Sequence, residues 1–283
     1  MSLIEADHVS FSQTVYDPNQ EKDFEIEIIK GITLSIERGE FIGILGSNGS
    51  GKSTFAKLLC ELLHPDEGKV LLNKVSLRET NLYEIRKNIG IVFQNPDNQI
   101  VGYLVEDDVG FALENLRFTH DEIWDRVDNS LKTMKLYDIR KRETNNLSGG
   151  QKQKVSIAGV LAVKPKCIIL DEPTSMIDPI GREEIIEHIT YLNHNKNISI
   201  ILITHNMEEV LKADKVIVID NGKIVLEGTP KSIFQKINVI QKYNLDVPQI
   251  KLLVHDLIKE GIPLPTDIFT AEELVEKLCQ LKS

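Results

Sequence analysis

The sequence predicts an α/β fold: a parallel-sheet core that carries a helical subdomain and is followed by a small helical extension. Three observations predict it. Short apolar runs such as "FIGILG", "CIILD" and "ISIILI" are of the kind found in strands covered on both faces. They lie on either side of a stretch, Val105 to about Val163, whose apolar residues fall three and four apart with no strand pattern. From about Ile237 the character changes to short amphipathic segments.

The elements follow in order. "GITLSIERGEFIGILGSNGSGKST" reads as strand, turn, buried strand, then a glycine-rich loop opening a helix that runs through "STFAKLLCELL" and stops before Pro65. "EGKVLLN" and "IGIVFQ" are further strands, and "KCIILDEP" and "ISIILITH" bring the strands back after the helical stretch. "KVIVIDNGKIVLEG" is a hairpin with Asn221-Gly222 at its turn. The charged stretch Asp17 to Glu27 is a solvated loop or hairpin. "PQIKLLVHDLIKEG" and "TAEELVEKLCQL" are two amphipathic helices, the second with the capping-box spacing of Thr270 and Glu273. Strands alternating with helices around a helical insert make an α/β core. Residues 1–236 are expected to form one domain, with the helical subdomain at about 98–163, and 237–283 an extension.

Composition excludes several classes. The 283 residues are 27% charged and 41% hydrophobic, which is ordinary for a globular chain. A formal charge of −10 argues against binding a nucleic-acid backbone. Cys60, Cys167 and Cys279 form no CxxC pair, against a zinc module or a disulfide framework. The start "MSLIEADHVSF" has no basic-then-apolar signal pattern, and no apolar run approaches the roughly twenty residues of a membrane helix.

"GSNGSGKST", Gly46, Ser47, Asn48, Gly49, Ser50, Gly51, Lys52, Ser53 and Thr54, has the phosphate-loop pattern G-x-x-x-x-G-K-[ST]. Gly49 and Gly51 let backbone N–H groups turn inward around a phosphate, and the following helix presents its positive end to the same anion. Lys52 reaches the β- and γ-phosphates, and Ser53 supplies a hydroxyl to Mg²⁺. The acid ending "CIILDEP" delivers Asp171 to the same sheet edge to hold Mg²⁺, with Glu172 next to it to polarise an attacking water. A nucleoside triphosphate and Mg²⁺ are therefore the expected ligands. "LSGGQ", Leu147, Ser148, Gly149, Gly150 and Gln151, opens another helix and makes a second anion-binding N-terminus.

With "LSGGQ" about 20 residues before the second acidic motif, residues 3 to 235 resemble the ATP-binding cassette (ABC) ATPases, whose fold also includes an antiparallel β subdomain. Gln94 matches the Q-loop glutamine, a further Mg²⁺ ligand; "SMID", Ser175 to Asp178, resembles the D-loop; His205 matches the switch histidine. The resemblance implies that one chain's signature closes over ATP held by another's phosphate loop, so a second cassette is needed. Catalysis is then carried by Glu172, His205 and Gln94. Two positions depart from the family pattern. Lys154 stands where arginine is common, and Gln13 where an adenine-stacking aromatic is common, leaving Tyr16, or alternatively Phe11, for that role.

"NPDNQIVGYLVEDDVGFALEN", "SMIDPIGR" and the tail "YNLDVPQIKLLVHDLIKEGIPLP" are similar to the ATPase subunits of energy-coupling factor (ECF) transporters. That resemblance implies a peripheral ATPase on the cytoplasmic face of the membrane, powering uptake of vitamins or related micronutrients. Its partners are a transmembrane coupling component and substrate-binding membrane components, and its tail helps pair two cassettes, alike or different. The alternative is the ATPase of a conventional importer or exporter, or a soluble ABC ATPase. Asp97, Glu106, Asp107 and Asp108 are candidates to receive a basic coupling helix. Acids at a first helical turn also favour the helix dipole, and the two readings are compatible for Asp107 and Asp108.

Overall fold

The structure is a computed structural model in which residues 2–17 and 22–281 are described. Two long strands, β1 (Ser2–Asp17) and β2 (Lys22–Glu37), pair antiparallel with Ile4 opposite Ile36 and Val15 opposite Phe24. The charged stretch is thus largely hairpin; residues 18–21 lie outside the described residues. After β3 (Phe41–Leu45) and α1 (Lys52–Leu59), strands β4 (Glu67–Leu72) and β5 (Val75–Ser76) complete an antiparallel sheet of order β2-β1-β4-β5.

A short helix α2 (Leu82–Asn88) leads into β6 (Ile89–Val92). The helical subdomain follows as α3 (Val105–Asn115), α4 (His120–Thr133) and α5 (Gly149–Ala162). Next come β7 (Cys167–Asp171), α6 (Pro179–Lys196), β8 (Ser199–Ile203), β9 (Lys215–Asp220) and β10 (Lys223–Gly228). The larger sheet has the order β10-β9-β3-β8-β7-β6, parallel except for the β9–β10 hairpin. Four helices close the chain: α7 (Pro230–Phe234), α8 (Ile237–Gln241), α9 (Gln249–Lys259) and α10 (Ala271–Leu281).

The apolar runs are continuous because the larger sheet is buried on both faces. Ile42, Ile44, Ile169, Ile201 and Ile203 join Phe55 and the antiparallel sheet's Ile4 and Ile36 in one core. Their neighbours Phe41, Leu45, Leu170, Ile200 and Leu202 join the helical subdomain's Val109, Leu131 and Ile157 in the other. Successive side chains of a strand point to opposite faces, so each strand ties the two cores together.

The boundary expected after residue 236 does not fall between cores. Ile240, Leu245 and Val247 belong to the same large core as Phe234. Only beyond them does a separate small cluster form, of Val254, Leu264, Ile268 and Leu274. Phe269 carries it back to the large core, with Lys251 Nζ 4.9 Å from its ring centre. Thr270 and Glu273 make the expected capping box, Glu273 N–H donating to Thr270 Oγ1 at 3.2 Å and Thr270 N–H to Glu273 Oε2 at 3.3 Å.

Candidate active site

Strand order places the chemistry. In the run β3-β8-β7-β6 the strands are parallel, so their carboxyl ends share one sheet edge. Along that edge stand Gly46 after β3, His205 after β8, Asp171 and Glu172 at the end of β7, and Gln94 after β6. Crevices at the carboxyl ends of such strands are where α/β folds bind ligands. A cavity of about 1160 Å³ opens there, lined by Gly46, Ser47, Asn48, Gly49, Gly51 and the helix start Lys52 to Thr54. Gln94, Glu172, Ser175 and His205 line it as well. Ser50 does not; it is buried behind the loop.

The loop needs its glycines. Gly51 has φ of 104°, in the left-handed region, and a Cβ there would stand 2.8 Å from Ile29 Cδ1. The Lys52 ammonium donates to the loop's own carbonyls, Gly46 O at 2.8 Å and Ser47 O at 2.9 Å. Burial pushes it below its usual range, against the pull of Glu172 and Asp171. A cation held in this way at a glycine-rich loop that opens a helix fits a polyphosphate. Ser53 Oγ donates to Asp171 Oδ1 at 3.0 Å, so the hydroxyl and carboxylate expected to share Mg²⁺ are already adjacent. Burial raises Asp171 above the usual carboxylate range, and the Ser53 bond opposes the rise.

Glu172 is the centre of a second set. Gln94 Nε2 donates to its Oε2 at 3.1 Å, and His205 Nδ1 lies 3.4 Å from the same oxygen. Its backbone is left-handed, φ 48°, a conformation a side chain rarely adopts and one found at functional turns. The Glu172 N–H donates to Ile203 O at 2.8 Å, which fixes that turn to the strand leading to His205.

The signature residues Leu147 to Gln151 are not among those lining this cavity. Ser148 caps α5: its Oγ accepts from the Gln151 N–H at 3.3 Å, and Gln151 Oε1 accepts from the Ser148 N–H at 3.1 Å. The D-loop lies beside it, since a Cβ on Gly149 would meet Met176 O at 3.6 Å. Lys154 forms an ion pair with Glu184.

Two sequence expectations need correction. Tyr16 does not line the cavity; it stands exposed where β1 runs out, opposite Asp23 of β2 and one pair before Asp17 and Lys22. Phe11 packs against a core instead. The wall on that side comes from β2, with Ile26 and Ile28. Sequence reasoning missed these two, and also Asn244 and Asp246, which reach the cavity from the chain beyond α8. No motif marks them, though the left-handed Asn244 follows the usual preference of asparagine.

The acids after Gln94 are also not free. Asp97 pairs with Lys152 at 2.6 Å, and Glu106 with Arg140 at 3.6 Å. Asp107 Oδ2 accepts from the Leu104 N–H at 3.3 Å, at the start of α3. Asp108 Oδ1 accepts from the N–H groups of Val101 and Gly102 at 2.8 and 2.9 Å. Of the four, only Asp108 lines a second cavity of about 560 Å³, an apolar groove walled by Tyr83, Ile91, Val101, Phe111 and Val160.

The family model "ABC transporter" matches residues 29–175, and the model "Energy-coupling factor transporter EcfA1 C-terminal domain" matches residues 253–283. The chain belongs to the ABC transporter ATPases of the EcfA1 type. It is 50% identical to the energy-coupling factor transporter ATP-binding protein EcfA1 of Caldanaerobacter subterraneus subsp. tengcongensis, covering 98% of this chain and 99% of that one. It is 46% identical to the EcfA1 of Clostridium novyi, covering 97% and 98%. Among solved structures it resembles cbiO1 from Clostridium perfringens, described as part of the ABC transporter complex cbiONQ. There the TM-score is 0.74 and the identity 36%, covering 90% of this chain and 99% of that one. It also resembles the dimeric ATP-binding cassette MJ0796 bound to ADP and Pi, with TM-score 0.71 and identity 27%, covering 81% and 99%. As an EcfA1-type cassette, the chain is the ATPase subunit of an energy-coupling factor transporter. Among its described residues no helix is long and apolar enough to cross a membrane.

Proposed function

We propose that the chain hydrolyses Mg²⁺-ATP as one half of a cassette pair, and so powers uptake of vitamins or related micronutrients through a separate transmembrane component. The observation that carries this reading is the division of parts. One cavity gathers Lys52, Ser53, Gln94, Glu172 and His205, while the signature of the same chain lies outside it. The site is therefore completed by the signature of another cassette, alike or different.

The residues divide the work. The loop N–H groups and Lys52 bind the polyphosphate and take up charge that develops on it. Ser53, Asp171 and Gln94 would hold Mg²⁺, which supplies further neutralisation of the phosphates. Glu172 accepts a hydrogen bond from the attacking water and polarises it. Gln94 and His205, both on Glu172 Oε2, keep that carboxylate aimed at the γ-phosphate, where His205 also donates. Ile26 and Ile28 take the part expected of Tyr16, an apolar wall for the adenine.

The groove beside the helical subdomain receives a short helix of the transmembrane component, with Asp108 as its carboxylate. On this reading the chain sits at the cytoplasmic face of the membrane, with substrate-binding membrane components joined through that partner. Purification of the tagged chain from membranes, with mass identification of what accompanies it, tests the assembly. A second cassette and a multi-span protein are expected, and recovery of the chain alone from intact membranes contradicts the reading.

A further inference from the structure

One buried polar cluster takes no part in the chemistry above. Glu209, 3% exposed, lies in the turn 209–212, four residues beyond His205. Its Oε1 accepts from Thr174 Oγ1 at 2.6 Å. Thr174 is as deeply buried, stands two residues beyond Glu172 and leads into the D-loop. This one bond therefore ties the segment after the switch histidine to the segment after the water-orienting glutamate.

Arg182, in the first turn of α6, faces the same oxygen but does not reach it. Its Nε is 3.8 Å from Glu209 Oε1, outside hydrogen-bond range. On each side of the gap a polar atom is buried without a partner, Arg182 Nε on one side and Glu209 Oε2 on the other. Buried charged groups left unsatisfied are costly, and a closed guanidinium–carboxylate pair is strong. An approach of about 1 Å closes the pair to the usual charge-assisted distance. The same stretch of chain carries an exposed apolar surface: Met176 in the D-loop is 61% exposed and Ile180, two residues before Arg182, is 75% exposed.

We propose that Glu209 and Arg182 form a latch that closes when a second cassette covers Met176 and Ile180. Closing draws the start of α6 towards the turn after the switch histidine. Through Thr174 the same carboxylate then sets Glu172 and His205 in register with the γ-phosphate. Glu209 is a positioning residue: it is not among the residues that line the nucleotide cavity. The proposal rests on the reading of the chain as one half of a hydrolytic pair.

Steady-state ATP hydrolysis by the membrane-assembled complex tests it, with Arg182→Gln, Thr174→Val, Glu209→Gln and the double variant Arg182→Gln/Glu209→Gln. Each single change is expected to lower kcat roughly 10- to 100-fold, the scale of a small misplacement in an active site. KM for ATP stays within about twofold, because the phosphate loop is untouched. The double variant is no slower than the worse single one, since both remove one contact. Should Glu209→Gln fail to fold, Arg182→Gln carries the test from a side chain that is 37% exposed. A lower melting temperature with kcat retained in Arg182→Gln overturns the latch, as does strict additivity in the double variant. Hydrolysis by the unaltered complex is the control: its loss counts against the ATPase reading, its presence leaves the variants to judge the latch.

Discussion

Glu172 sits where three constraints meet: a left-handed backbone, a bond from Gln94 and the proximity of His205. Removing its charge while keeping its shape isolates its role. Glu172→Gln is expected to bind ATP with near-normal affinity while turnover falls on the order of 10²–10⁴-fold, the range for loss of one general base. Fluorescent-nucleotide titration beside phosphate release checks both halves. Asp108 gives a residue-scale prediction with a pH sign. Burial raises its carboxyl above the usual range, against the N–H bonds from Gly102 and Val101. The folded state then holds the proton more tightly than the unfolded chain. Its contribution to stability therefore falls as pH rises from the ordinary aspartate value through the raised one. Asp108→Asn keeps an oxygen for the two N–H groups and removes that loss. Its melting temperature at pH 7 should equal or exceed that of the unaltered chain, while less of it copurifies with the transmembrane component. Unchanged copurification assigns Asp108 to the loop alone. The sequence exposed the phosphate-loop and acid-motif residues because their chemistry demands a fixed spacing. It hid Ile26 and Ile28 because an apolar wall demands only shape, and it hid the ion pairs of Asp97 and Glu106 because their partners Lys152 and Arg140 are distant in the chain.

Elements explain where the extension begins. The parallel strands were legible as apolar runs, and the helical insert as a change of period. The end of the cassette was not, because Ile240, Leu245 and Val247 sit on short segments with no sustained period. They are core residues nonetheless, and each buried aliphatic side chain is worth about 1.5–3 kcal/mol. A chain ending at residue 236 is therefore expected to lose several kcal/mol and to bind ATP poorly. A chain ending at residue 248 keeps those three side chains and gives up the small cluster around Val254 together with Phe269. It should fold and bind ATP, with weaker pairing of the cassettes. Urea denaturation of the two truncations, with light scattering of the longer one, separates them. Equal stability places the boundary back at residue 236.

At the scale of the whole molecule, the chain holds half a reaction in each of two places. On the proposed function, the cavity at the strand ends supplies the groups that bind and activate, and the capped start of α5 supplies the signature to another cassette's cavity. Between them the D-loop carries exposed Met176, with exposed Ile180 just beyond it. A single cassette is then expected to bind ATP and to leave it almost intact. The direct measurement is ATP turnover per chain, compared at equal concentration between the membrane-assembled complex and chain shown to be monomeric by light scattering. The account predicts sustained turnover in the complex and at least a tenfold lower rate in the monomer, by loss of transition-state contacts from the second signature. Equal turnover per chain in the two samples would contradict it.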